Sequence, residues 1–195
     1  NPTKPGYTFG GWYLDAKCMD PADFSEITGT CTVYANWIAE GNVQYTVLHM
    51  QENADDDGYS TKDIKTEYGQ AGFTTNAKPM SYSGFTAKPI TQQTIQGDGS
   101  TIVKVYYERN EYEVKFHYWK SGFLGFGGEW KEYDDIRIKA KYGAYIGDKW
   151  PTKNGSRTWS TTKNLNEGPF QVNIETMPLG GDEFYGPKTD SGSET

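Results

Sequence analysis

The sequence predicts a mostly β protein, α+β only at its margins, built from small modules in tandem. Three observations carry that expectation. Tyrosine (15) is abundant and glycine (23) more so, while leucine and alanine are scarce for a helical chain. Apolar and polar residues alternate in Val43-Gln-Tyr-Thr-Val-Leu-His-Met, in Ile102-Val-Lys-Val-Tyr-Tyr and in Glu111-Tyr-Glu-Val-Lys-Phe-His-Tyr-Trp, the period of half-buried strands. Glycine turns punctuate the runs at short intervals. The apolar fraction is only 35%, so each core is expected to be thin and built largely from tyrosine.

Residues 42–109 are the stretch around which the chain is organised. Val43, Tyr45 and Val47 share a face with His49; in the closing run Val103, Val105 and Tyr107 share one face, and Ile102, Lys104 and Tyr106 the other. Between these runs lie Asp57-Gly58, Tyr68-Gly69, Ser83-Gly84 and the hairpin turn Gly97-Asp-Gly-Ser; residues 61–68 read as a strand. Asp55-Asp-Asp-Gly58 reads as an acidic surface turn. A calcium loop through Asp55 and Asp57 is the lesser alternative, because such loops space carboxylates at alternate positions and add a distal Glu. A phosphate site is excluded by sign.

Net charge is −7, which argues against nucleic acid and against an anionic membrane surface. No apolar run approaches the roughly 20 residues that span a bilayer, so no membrane insertion is expected. The chain carries no signal peptide and reads as an excised fragment or a mature segment. Its two cysteines, Cys18 and Cys31, have no zinc-type spacing. Two readings stand: a structural disulfide, worth on the order of 3 kcal/mol in chain entropy, or two unpaired buried thiols. A thin core gains most from the link, which would imply an extracellular protein.

Residues 1–40 open with Pro2-Thr-Lys-Pro-Gly-Tyr-Thr-Phe-Gly-Gly-Trp-Tyr and end with Cys31-Thr-Val-Tyr-Ala-Asn-Trp. Tyr7, Phe9 and Trp12 supply aromatics, Gly10-Gly11 allow a bulge or a close backbone approach, Phe24 is a core anchor, and Cys31 is expected on the core side with Val33, Ala35 and Trp37. Over residues 2–37 this pattern resembles the second half of a Listeria–Bacteroides repeat, the B-repeat of internalin-type surface proteins. The resemblance implies a small β-grasp-like module, here without its opening strand, so that something else must cover the sheet edge. Residues 43–110 resemble the mucin-binding-protein-like modules of Gram-positive surface proteins, in framework positions only. Together the resemblances imply tandem β-grasp-like modules in an elongated arrangement. The expected divisions are 1–40, 41–110, a third β-rich module 111–187, and a polar, disordered tail 188–195.

In the third module Tyr112, Val114, Phe116 and Tyr118 face one way. The glycine-rich stretch that follows carries Phe123, Leu124, Phe126 and Trp130 with little polar relief. Either this tip folds back to finish the core, or it is an exposed patch that meets a partner; a phosphate loop is excluded by the missing Gly-Lys-Ser/Thr. Residues 151–169 are polar, with Asn154-Gly155 and Trp159 as landmarks. Phe170 to Met177 is one strand-like or short helical run, and Leu179-Gly-Gly with Phe184 and Tyr185 reads as a docking tail.

No catalytic pattern emerges. His49 and His117 lie in strand runs, the Gly-x-Ser-x-Gly elbow is absent, and the carboxylates are scattered. The expectation is a monomeric, non-enzymatic segment of a bacterial cell-surface or cell-wall protein, without cofactor. As an adhesin it would bind a host mucin-type glycoprotein or other host protein, immunoglobulin included. The alternative is a stalk with no ligand. Sugar binding favours exposed Trp and Tyr beside Asn and Asp; protein binding favours the Phe123–Trp130 loop.

Overall fold

The computed structural model describes residues 1–151, 159–163 and 174–186. Asn154-Gly155, the first half of the run from Phe170 to Met177 and the tail 188–195 lie outside the described residues. The fold is mostly β: nine strands and one 3-10 turn among the described residues, in sheets of two, four and three strands. The chain packs as two units, one of Asn1–Met50, Thr61–Met80 and Ala87–Tyr106, the other of Gln51–Ser60, Ser81–Thr86 and Tyr107–Thr195.

In the first unit β1 (Tyr7–Tyr13) pairs antiparallel with β2 (Tyr34–Ala39). The register runs Phe9↔Trp37 and then Trp12↔Ala35, so β1 holds one extra residue at Gly10-Gly11, where Gly11 takes φ +113°. The bulge keeps Phe9 against both Trp12 (5.3 Å) and Trp37 (5.7 Å), edge to face. Glu40 N donates to Gly6 O (2.8 Å), extending this ladder, and Ala71 N donates to Glu40 O (3.1 Å), which ties the small sheet to the rest of its unit.

Two expectations for this segment need correction. Phe24 is no core anchor; it is exposed. The Cys18–Cys31 disulfide does not form, and both thiols are free. The cause is local. β2 begins only at Tyr34, so Cys31 precedes the alternation meant to turn it inward, and it is exposed. The loop is pinned by carboxylates instead: Asp15 accepts from the amides of Lys17, Met19 and Asp20 at 2.7–2.9 Å, and Asp23 from Ser25 N and Oγ. Those bonds, that from Asp20 foremost, hold the Asp15 carboxyl below its usual range.

β3 (Val43–Glu52), β4 (Tyr59–Gly69), β5 (Phe85–Ala87) and β6 (Ile102–Arg109) form a sheet in the order β4-β3-β6-β5. Period-2 alternation sets the faces as read: Val43, Tyr45, Val47, His49, Val103, Val105 and Tyr107 are buried, while Ile102 is exposed. Tyr45 keeps its hydroxyl paired inside the core, donating to Glu67 Oε2 at 2.6 Å. Burial, then the charge of Lys65, holds the His49 imidazole below its usual value, so it is a neutral wall residue.

In the second unit β7 (Glu111–Ser121) pairs antiparallel with β8 (Gly128–Lys141) and parallel with β9 (Asp182–Tyr185). The core lies on one face of this sheet: Val114, Phe116, Ile138, Phe184 and Tyr133 are buried with Ile146, Trp150, Trp159 and Met177. Phe116 is its hub, with Trp159 at 4.6 Å, Trp150 at 5.4 Å and Phe184 at 6.1 Å. Both indole N–H groups find carbonyls, Trp150 that of Ile174 (3.0 Å) and Trp159 that of Pro151 (3.2 Å). The Phe184–Tyr185 segment docks as read, with Phe184 opposite Phe116 in register.

Within the same unit, Arg109 is clamped by carbonyls: Nε donates to Glu52 O and Nη1 to Tyr142 O, both at 2.7 Å. The Glu52 carboxylate accepts from Arg109 N and meets Lys141 Nζ at 2.8 Å. Burial works against ionisation of Glu52, but the Lys141 and Arg109 bonds outweigh it and hold its pKa below 4.5.

Candidate ligand-contact site

The β7–β8 hairpin carries the feature that the core does not explain. Its last strand pair is Ser121↔Gly128, and residues 122–127 form the tip. There Gly122 N donates to Gly127 O, Gly125 N to Gly122 O and Phe126 N to Phe123 O, each at 3.1 Å. The tip does not fold back. Phe123 is 87% exposed, Leu124 79% and Phe126 82%. Leu124 also holds φ +55°, a left-handed conformation that a branched side chain adopts at a cost of roughly 1–2 kcal/mol. Three bare apolar side chains and one strained residue give this chain no stability in return.

Behind the tip the sheet face opposite the core becomes aromatic. Trp119 and Trp130 are register partners with rings 5.4 Å apart; Trp130 meets Tyr185 at 5.1 Å, and Tyr185 stacks on His117 at 4.8 Å. Trp130, grouped with the tip in the sequence, is thus half-buried at its base. Farther along, the same face turns to charge: Lys115–Glu132 (3.4 Å), Arg137–Glu113 (3.8 Å) and Lys139–Glu111 (3.3 Å). A three-residue bulge separates the two regions, since β7 advances from Lys115 to His117 while β8 retreats from Arg137 to Glu132. His117 Nδ1 is buried without a hydrogen-bond partner.

Tyr185 locks this layer. Burial, then its 2.9 Å bond to Glu183, pushes its hydroxyl up to about 12. A folded-state pKa above the unfolded value of 10 means the contribution is whole below pH 10 and lost as pH rises through about 12. Titrated by phenolate absorbance, the folded chain should show a late ionisation near pH 12 that Tyr185→Phe lacks. A wild-type profile identical to that of the variant would contradict the assignment.

Residues 1–36 match the family model of the Listeria-Bacteroides repeat domain. This repeat occurs in bacterial surface proteins, consistent with a cell-surface segment. No curated protein matches the chain. The repeat segment is the β1–β2 sheet with its Asp15 and Asp23 turns; the tip belongs to the other unit.

In the β3–β4 turn Asp56 accepts from Gly58 N (2.6 Å) and Asn53 Nδ2 (2.8 Å). The calcium candidates face protein groups instead, Asp55 the Tyr145 amide at 3.4 Å and Asp57 the Lys141 ammonium at 3.7 Å. Among the described residues no group of three or more His, Cys, Asp or Glu converges on a metal position. His49 and His117 fall in separate units. Sequence reasoning missed Tyr185 and His117 as parts of the aromatic layer, because their stacking depends on a parallel pairing between distant segments. The one available signal was the alternation Phe184–Tyr185, which puts one ring in and the other out.

Proposed function

We propose that this chain is a non-catalytic segment of a Gram-positive surface protein, exposed outside the cell, that grips a host ligand as an adhesin. The exposed Phe123–Leu124–Phe126 tip carries the reading, because only a partner can return the free energy such exposure forgoes. No side chain from Gly122 to Gly128 is polar, which favours an apolar contact over sugar recognition. The likeness of residues 43–110 to mucin-binding modules makes a mucin-type glycoprotein the first ligand to try, and immunoglobulin the second. The 1–36 match also supports a stalk with no ligand of its own.

Immobilised full chain and its Phe123→Ser/Leu124→Ser/Phe126→Ser variant, exposed to serum and mucus, separate these readings. The adhesin reading expects capture of mucin or immunoglobulin by the wild type, reduced at least tenfold in the variant. No capture by either chain leaves the stalk. Equal capture by both would remove the tip from the account.

A further inference from the structure

We propose that the hairpin tip also seats in the interfacial layer of a lipid bilayer, one of zwitterionic phosphatidylcholine type. The inference rests on reading the chain as host-facing and adds a second contact beyond a glycoprotein. Four observations select lipid. The tip leaves Phe123, Leu124 and Phe126 almost fully exposed side by side, as shallow entry into an apolar layer requires. Seven consecutive residues, 122–128, carry no polar side chain, so nothing needs to stay hydrated on entry. The amides of Gly122, Gly125 and Phe126 donate to carbonyls within the tip, which lowers the cost of bringing those groups toward a medium poor in water.

The fourth observation is depth. Trp119 and Trp130 lie two strand residues behind the Ser121↔Gly128 pair, roughly 7 Å at strand rise. Seated apolar groups reach about 5–10 Å into the headgroup–acyl boundary, where tryptophan concentrates. This is shallow attachment, distinct from spanning. Flanking charge is mixed, with Lys131 paired to Glu129 at 2.8 Å, and the chain's net −7 disfavours anionic leaflets, which leaves a zwitterionic surface.

The test floats the full chain with phosphatidylcholine vesicles and follows tryptophan quenching by brominated acyl chains; parallel arms use mucin and immunoglobulin. The expected result is flotation with quenching, and vesicle affinity at least tenfold lower in the triple-serine variant at an unchanged melting temperature. Phe123→Ser alone serves if the triple variant melts early, and should lose part of the affinity. Absent flotation, or flotation equal in wild type and both variants, overturns the inference. Tip-dependent capture of mucin or immunoglobulin without flotation overturns it while leaving the adhesin reading intact.

Discussion

Phe116→Ala is expected to destabilise the second unit by about 3–5 kcal/mol. Phe116 is fully buried between Trp150, Trp159 and Phe184, and it stands opposite Phe184 in the β7–β9 register. Removing the ring opens a cavity among three large aromatics that cannot close without moving the Trp150 and Trp159 segments, which indole–carbonyl bonds tie to Ile174 and to Pro151. Against a typical domain stability of about 5–15 kcal/mol the loss is severe. The melting midpoint read by near-ultraviolet circular dichroism should fall by about 10 °C or more. A shift of a degree or two would mean the ring is not the hub.

Gly97→Ala is expected to be damaging too, though less so and for a different reason. A methyl group there would overlap the carbonyl of Pro5, and one on Gly6, at φ +74°, would overlap the backbone of Gly97. Backbone cannot swing aside as a side-chain tip can, so the two strands of chain must part. The cost should reach about 1–3 kcal/mol or more. Because this contact holds the repeat segment to its own unit, limited proteolysis should cut the 14–30 loop much sooner in the variant. Gly29→Ala is the control: nothing lies within 4 Å of its added methyl, and it should behave as wild type. Equal proteolysis of both variants would contradict the close approach.

What the sequence made legible follows from range. Alternation is a local property, so the faces of β3, β6 and β7 were legible in the sequence; Gly10-Gly11 left a bulge or a close backbone approach open, and the register shows the bulge. The Cys31 expectation failed by extending the alternation of β2 back past its start at Tyr34. Phe24 failed because aromatic character was taken for burial in a loop that is pinned by Asp15 and Asp23. The parallel β7–β9 pairing joins residues far apart in the chain, and no local pattern announces it. For the tip, composition left two readings, core or patch. The deciding fact is geometric: its hydrogen bonds close within residues 122–127, which leaves the three side chains outside.

Denaturant unfolding of Phe116→Ala beside the triple-serine variant tests most directly whether Phe123, Leu124 and Phe126 stand outside the core. A midpoint close to wild type for the triple-serine chain, with a large drop for Phe116→Ala, is the predicted result. Comparable losses in both would place the tip in the core and contradict its role as a contact surface.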